Sequence, residues 1–288
     1  MIIRGEERYK AGLKAMWKLC FPADTERFIS FYFDEIYKNN ETLLYLIDDK
    51  PVASLQMIPY PVKTGNRIQL GGYLSGVMTH PDFRKRGYMS ELLTVSFDEM
   101  EKKGYAYTFL IPQNEELFDL YAKYGYIEAF PEQKTTYPSK KTVLNYPVIL
   151  RDKQVRIYSS LESVDLDDFY TLYYRFLLEK PAAVLKTKPQ LSVVLWDFFD
   201  EKGILFANDW GFAFTFAEVG EIFVKECYFC DDEMEETFFN VVREYYQLEK
   251  IAVFNDKKAP FLRYKGMIKS LNSVGVPPTE LYMSMMSE

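Results

Sequence analysis

The sequence predicts a mixed α/β protein made of two successive units. Helical and strand-like segments alternate through the first half, and the second half repeats a similar order of elements. Between the halves, residues 131–153 are mostly polar and contain three prolines. A chain of 288 residues is also long for one domain. We therefore expect one unit over residues 1–137, a linker over 138–153 and a second unit over 154–288.

The first half opens with two predicted helices, over residues 6–20 and 24–38. Leu13, Met16 and Trp17 recur at helical spacing in the first, and aromatic residues do so in the second. Strand and helix signals then alternate to the end of the unit. The predicted elements are strands over 42–60 and 62–79, each a pair joined by a turn, a helix over 88–103, a strand over 105–112, a helix over 114–124 and a strand near 126–130.

The second half contains the same kinds of element. They are a strand near 154–158, helices over 165–179 and near 189–200, strands at about 203–208, 210–217 and 221–230, a helix over 232–247, a strand over 249–255, a helix over 259–270 and a last strand near 279–286.

Composition excludes several classes of protein. Hydrophobic residues make up 48% of the chain, enough for packed cores. The formal net charge of −7 argues against a nucleic-acid partner, because neutralising phosphates requires a basic surface. No apolar run approaches the roughly 20 residues of a membrane helix, and the charged N-terminal segment is unlike a signal peptide. We expect a cytoplasmic protein with no membrane partner, and the aromatic second half leaves a homo-oligomer open.

Few residues of this chain are suited to metal or redox chemistry. Cys227 and Cys230 have a C-x-x-C spacing, but they lie in an aromatic strand-like segment without a second pair, so we interpret them as core or edge residues. His80 is the single histidine and cannot by itself form a His-rich zinc site. We therefore expect no metal.

A basic turn, "RKRG", stands out in this acidic chain. Arg84, Lys85 and Arg86 precede Gly87 between a predicted strand and a predicted helix. Unpaired N–H groups at a helix start bind anions, and a glycine allows a ligand to approach closely. Three adjacent cations repel each other unless an anion lies among them, which favours a phosphate-bearing ligand; the alternative is a solvated basic turn. The spacing matches neither a Walker loop nor G-x-G-x-x-G.

Two sequence blocks together resemble the GNAT N-acetyltransferase superfamily. Arg84-x-x-Gly87-x-Met89 is similar to its coenzyme A pyrophosphate loop, Gln/Arg-x-x-Gly-x-Gly/Ala, from which Met89 departs. The second block resembles the family's Asn…Leu-Tyr…Gly-Phe segment, here Asn114, Leu120, Tyr121, Gly125 and Tyr126. The resemblance covers roughly residues 1–137. A second unit without the loop is similar to the tandem, enhanced intracellular survival (Eis-like) type, here expected to lack the usual sterol-carrier-like third domain.

The resemblance implies two tandem GNAT-like units, each a twisted, mostly antiparallel sheet flanked by helices. The first would bind acetyl-CoA as co-substrate and move its acetyl group to a primary amine of a small molecule or peptide within a ternary complex. The second would be degenerate, because acidic residues, "DDEMEE", stand where its pyrophosphate loop would fall.

The resemblance also implies roles for individual residues. The strand over 62–79 would separate from the strand over 105–112 to admit the cofactor, with a distortion at Ser75-Gly76. The implied cofactor-binding residues are Val77, Met78, Thr79, Arg84, Lys85, Arg86, Gly87, Tyr88, Met89 and Asn114.

Three further residues are candidates for proton transfer. By the resemblance, Tyr121 would donate a proton to the departing sulfur; the alternative is a tyrosine that caps the core. Asp24 and Glu26, near the start of the second helix, are candidates for the general base. Their alternative is a capping role, with Asp24 or Thr25 as the N-cap.

Two other functions are compatible with the same fold. One is a coenzyme A-binding sensor or scaffold that does not catalyse transfer. The other is a transferase that uses aminoacyl-tRNA, which the net acidity and the coenzyme loop disfavour.

Overall fold

The protein forms two compact units, each with its own core. The computed structural model describes residues 1–137, 154–254, 261–271, 275 and 277–283. One unit contains Met1–Ala129 together with Gly266–Thr279. The other contains Phe130–Lys265 and the residues from Glu280 on.

The first unit is a mostly antiparallel sheet with helices on both faces. Its elements are β1 (Ile2–Arg4), β2 (Thr42–Ile47), β3 (Lys50–Thr64), β4 (Arg67–Thr79), β5 (Tyr107–Leu110), α1 (Lys10–Cys20), α2 (Glu26–Phe31), α3 (Tyr88–Lys102) and α4 (Glu115–Ala122). The strand order is β1-β2-β3-β4-β5, and only β4 and β5 are parallel among these neighbours. Met267–Ser270, from late in the chain, pair antiparallel with β5 and extend this sheet.

Alternation along the strands divides the core of this unit into two clusters. Leu43 and Leu55 pack in the cluster that contains the buried faces of α3 and α4. Leu44 and Leu46 pack in the other cluster, with the aromatic residues of α1 and α2. Successive side chains of a strand point to opposite faces, so the sheet separates the two helical layers.

The second unit repeats this plan. Its elements are β6 (Ile127–Tyr137), which starts in the first unit, β7 (Arg156–Tyr158), β8 (Ala182–Val184), β9 (Ile204–Asn208), β10 (Gly211–Glu218), β11 (Glu221–Phe229), β12 (Ile251–Phe254), β13 (Phe261–Ser270), which ends in the first unit, β14 (Tyr282–Met283), α5 (Leu166–Glu179), α6 (Lys188–Asp200) and α7 (Asp232–Tyr246). The sheet order is β6-β12-β11-β10-β9-β7, in which β11 and β12 are parallel. Leu205 and Phe206 pack in different clusters, one with α5 and α6 and one with α7. The predicted fold class, two mixed α/β units with mostly antiparallel sheets, is confirmed.

Two predictions about the elements need correction, and two short strands were missed. A helix is predicted over 259–270, but residues 261–270 of this range form the strand β13, because Met267–Ser270 pair with β5 far away in sequence. The helix predicted over 24–38 is the short α2 followed by a π-helical segment, Tyr32–Ile36. The short strands β1 and β8 were not predicted.

The two compact units do not coincide with the ranges 1–137 and 154–288. Gly266–Thr279 belong to the first unit, and the chain passes from the first unit to the second at Phe130. The linker predicted over 138–153 lies outside the described residues. None of the helices within the described ranges is long and apolar enough to cross a membrane.

Candidate functional site

A bulge interrupts β4 near its end. Ser54 pairs with Met78 and Gln56 with Ser75, so Gly76 and Val77 both lie opposite one residue of β3. Gly76 has φ +56°, a left-handed conformation that favours glycine. The distortion predicted at Ser75-Gly76 is confirmed.

The bulge lies in the part of β4 that has separated from β5. The parallel register of the two strands includes only Gly71–Tyr73 of β4, whereas β4 continues to Thr79. Among the described residues, the last part of β4 therefore has no strand partner on its β5 side. Met78 is buried there, while Val77 and Thr79 are half-buried. The main chain of an unpaired strand can bind an extended ligand through hydrogen bonds.

The basic turn follows this strand and leads into α3. Gly87, with φ +86°, is the N-cap residue, and no side chain caps the first turn of the helix. Arg84, Lys85 and Arg86 are all exposed. Arg84 Nε donates to the Thr79 carbonyl at 3.2 Å, which holds the guanidinium at the end of β4. An uncapped helix start with three cations beside it has the geometry and the charge of an anion site.

The departure from the family pattern at Met89 does not obstruct this turn. The side chains of Tyr88 and Met89 are half-buried and pack against the hydrophobic core of the first unit. Their main-chain N–H groups belong to the first turn of α3, where a helix supplies no internal partner. A large side chain at position 89 is therefore compatible with an anion bound to the amides.

The second predicted block forms α4 and its cap. Asn114 is the N-cap residue, and its side chain accepts a 3.2 Å hydrogen bond from the Leu117 N–H. Tyr121 is 6% exposed and packs edge-on against Tyr126, with ring centroids 5.8 Å apart. Burial raises the pKa of Tyr121 to about 12. A phenol with this pKa keeps its proton at neutral pH and can act as a proton donor.

Residues that the sequence did not single out hold α4 against α3. The hydroxyls of Tyr124 and Ser90 lie 2.5 Å apart, which joins the end of α4 to the first turn of α3. Lys269 donates to the Tyr124 carbonyl at 2.8 Å. No local pattern predicts these contacts, because Lys269 comes from the late segment that joins the first unit.

The two candidates for the general base have different surroundings. The Trp17 indole donates a 2.6 Å hydrogen bond to Asp24, and a Cβ added to Gly76 would lie 2.9 Å from the same indole ring. Asp24 is thus connected through one side chain to the β4 bulge. Glu26 is exposed and pairs with Lys18 at 2.5 Å, as a surface charge does. Thr25, not Asp24, is the N-cap of α2.

A narrow cavity lies behind the bulge, on the side of α1 and α2. Its lining residues are mostly aromatic or aliphatic with a few uncharged polar groups: Leu13, Trp17, Tyr32, Phe33, Tyr37, Thr42, Ser54, Leu55, Gln56, Ser75, Gly76 and Met78. In the parts of the chain that the structure describes, no group of three or more His, Cys, Asp or Glu could hold a metal ion.

The second unit has a similar bulge, but the helix start that follows its strand is acidic instead of basic. Phe214 pairs with Glu226 and Thr215 with Val224, which leaves Lys225 as the extra residue of β11. The parallel pairing of β11 with β12 ends at Val224. Asp231 caps α7, and Asp232, Glu233 and Glu235 follow in its first turn. Acidic groups and a capping carboxylate disfavour the binding of a phosphate at this helix start. That the second unit has no coenzyme site stays a prediction, which this geometry supports.

Residues 2–129 match the family model described as an acetyltransferase (GNAT) domain. No curated protein matches the sequence.

Solved structures resemble the chain over most of its length. A conserved protein of Enterococcus faecalis, titled a probable N-acyltransferase, has a TM-score of 0.72 at 12% identity, over 94% of this chain and 72% of that one. A GCN5-related N-acetyltransferase of Anabaena variabilis has a TM-score of 0.72 at 12% identity, with 94% and 73% covered. Eis1 of Mycobacterium abscessus has a TM-score of 0.69 at 11% identity, also with 94% and 73% covered. At these identities the likeness shows the fold.

Proposed function

We propose that this protein is a GNAT-type acyltransferase, because residues 2–129 match the acetyltransferase (GNAT) domain model, and that it moves an acetyl group from acetyl-CoA directly to a primary amine of a small molecule or peptide. The acceptor and donor would be bound together in a ternary complex in the first unit.

One observation carries this proposal. The bulged end of β4 has separated from β5 and runs directly into an uncapped, basic helix start. An extended arm that ends in a diphosphate requires these two features next to each other: a strand with free main-chain groups, and amides with cations at its end. Coenzyme A has this shape and charge, which supports it as the donor.

The residues present fit such a donor. The amides of Gly87, Tyr88 and Met89, with Arg84, Lys85 and Arg86, would hold the diphosphate. The main chain of Val77, Met78 and Thr79 would pair with the pantetheine arm. Asn114, which already caps α4, would hold the other side of that arm.

The chemistry requires a free amine, a polarised carbonyl and a protonated leaving group. The donor supplies an acetyl thioester. Main-chain N–H groups of the bulge would donate to the carbonyl oxygen of the thioester. The acceptor nitrogen would form the new C–N bond as the C–S bond breaks. Tyr121 would give its proton to the departing sulfur. Asp24 would take a proton from the amine, directly or through water.

The direct test is release of coenzyme A thiol. Purified protein is incubated with acetyl-CoA and a panel of polyamines, aminoglycosides, amino acids and lysine peptides, and the free thiol is titrated while calorimetry measures coenzyme A binding. We expect binding and amine-dependent thiol release with at least one class of acceptor.

Two results would contradict the proposal in different ways. Binding without turnover on any amine would favour the coenzyme A sensor. No binding, together with salt-dependent binding of aminoacyl-tRNA, would favour the tRNA-dependent transferase.

A further inference from the structure

A chain of hydrogen bonds connects the β4 bulge to the helical layer behind it. The Tyr32 hydroxyl lies 2.8 Å from Gln56 Oε1 and 2.9 Å from Ser75 Oγ. Gln56 Nε2 donates to the Ile36 carbonyl at 3.0 Å and to Glu41 Oε2 at 3.3 Å. Tyr32 and Gln56 are 3% and 2% exposed, so water has little access to replace these bonds.

The direction of the protons follows from the chemistry of the groups. A phenol carries one proton, and the amide oxygen of Gln56 can only accept. Both partners accept from the Tyr32 hydroxyl, so its single proton is directed at Gln56 Oε1 and Ser75 Oγ. Because the amide of Gln56 does not pass a proton on, this chain cannot carry protons away from an amine. Its function must be to hold atoms in place.

The atoms held in place belong to the bulge. Ser75 is the residue just before the two bulged positions, and Gln56 is its direct partner across β3 and β4. Tyr32 thus connects both sides of the register at the point where it shifts. Two further features restrict the backbone at the bulge. Gly76 has a left-handed φ, and the Trp17 ring lies beside it.

We infer that Tyr32 is a positioning residue for acyl transfer. Its hydroxyl fixes the β4 bulge and thereby the main-chain N–H groups that face the thioester oxygen. The inference rests on the proposed function. The hydroxyl is bonded to Gln56 and Ser75 and does not belong to the basic turn, so its loss should lower the rate of transfer while coenzyme binding at that turn is unchanged. Misplacing such donors by about 1 Å can cost a rate factor of about 100.

The test compares two tyrosine-to-phenylalanine variants. Tyr32→Phe deletes the hydroxyl and keeps the ring. Tyr9→Phe is the matched control, because Tyr9 is buried in the same cluster and its hydroxyl bonds to Asp49 in the turn after β2. We expect Tyr32→Phe to lower kcat about 10- to 100-fold and to change the Kd of coenzyme A less than threefold. Tyr9→Phe should change kcat less than twofold.

Ser75 supplies the second arm of the test. Ser75→Ala should lower kcat as Tyr32→Phe does, Ser75→Thr should restore most of the rate, and the double variant should be no slower than the slower single variant. Additive losses, or a loss in Tyr9→Phe equal to that in Tyr32→Phe, would overturn the inference.

Hydrogen exchange separates this inference from the proposed function. Amides in the peptide covering residues 74–79 should exchange faster in Tyr32→Phe than in Tyr9→Phe, whether or not an acceptor has been found. An inactive wild-type protein with faster exchange in Tyr32→Phe would reject the proposed function and keep the positioning role of Tyr32. Unchanged exchange and unchanged kcat would reject the positioning role alone.

Discussion

The indole nitrogen of Trp17 donates a 2.6 Å hydrogen bond to the carboxylate of Asp24. The same indole ring packs beside Gly76, so a residue before α2 and the bulge of β4 share one side chain. An oriented carboxylate next to the proposed reaction centre is the arrangement that a general base requires. The contact gives Asp24 a testable role that Glu26 does not share.

Replacing Asp24 by Asn should lower kcat/KM about 100-fold near neutral pH, because the amine then has no acceptor for its proton. The rate of the variant should rise with pH toward the ordinary pKa of an amine, near 10. Glu26→Gln makes the same change of charge on the exposed surface beside Lys18 and should stay within twofold of the wild type. Equal losses in both variants would remove Asp24 as the base. Steady-state rates measured from pH 6 to pH 10 decide between these outcomes.

Gly76→Ala tests the bulge itself. A left-handed conformation costs a non-glycine residue about 1–2 kcal/mol, and here the new Cβ would also lie 2.9 Å from the Trp17 ring. Gly65→Ala is the control, because Gly65 has φ +57° but no atom within 4 Å of an added Cβ. Thermal and urea unfolding should show a larger loss of stability in Gly76→Ala, and thiol release should fall only in that variant. Equal losses of stability in Gly76→Ala and Gly65→Ala would mean that the Trp17 ring moves to accommodate the added methyl group.

The charge of the basic turn should control donor affinity. Lys85→Glu places a carboxylate among the proposed phosphate ligands and should raise the Kd of coenzyme A about 10- to 100-fold, since each hydrogen bond to a charged group contributes about 1.5–3 kcal/mol. Lys102→Glu makes the same substitution at the exposed last residue of α3, at the other end of the helix from the basic turn. Calorimetry at two salt concentrations should show a weaker salt dependence in the Lys85 variant. If both variants bind alike, the turn is a solvated basic loop.

Tyr121→Phe tests the proton donor. Loss of a general acid should lower kcat about 10²- to 10⁴-fold and leave the Kd of coenzyme A unchanged. Burial raises the pKa of Tyr121 to about 12, so the acid form persists below that pH. The wild-type rate should therefore show no alkaline decline from this group up to pH 10. Full activity of the phenylalanine variant would leave Tyr121 as a residue of the core.

The second unit should respond to pH through Lys186. This lysine is 1% exposed, and burial lowers its pKa to about 7, against the opposing effect of the Glu226 carboxylate; nearby Lys265 lowers it further. Glu226 in turn accepts hydrogen bonds from Tyr173 at 3.1 Å and Tyr282 at 2.6 Å. The unfolded lysine holds its proton up to about pH 10.5. The unfolded state therefore binds more protons between pH 7 and pH 10.5, and stability should rise with pH across that window, by at most about 1.4 kcal/mol per pH unit.

Lys186→Met should flatten that rise, because the titrating group is gone. Lys188→Met is the control, since Lys188 lies two residues on, at the surface beside Asp167. Urea unfolding at several pH values, followed by tryptophan fluorescence, measures the slope. The same slope in both variants would show that another group carries the dependence.

Several parts of the site could be predicted because they depend on neighbouring residues in the sequence. The strand, basic turn and helix around Arg84–Met89 follow from hydrophobic pattern, charge and one glycine. The cap at Asn114 is likewise local, since the side chain bonds to an amide three residues away. The helix predicted over 259–270 fails for the opposite reason: its pairing with β5 joins segments about 160 residues apart, and such pairing overrides local preference.

Hydrophobic pattern and composition are enough to predict the two mixed α/β units, the charge of the basic turn and the residue types available for proton transfer. Which residues meet is visible only in the folded chain. Asp24 bonds to Trp17, whose ring lies beside Gly76, while Tyr32 bonds to Ser75 and Gln56, and Tyr124 bonds to Ser90. The difference arises because backbone conformation and capping act over a few residues and leave a pattern in the chain. Contacts between distant segments depend on how side chains fill a shared core, which no local pattern records.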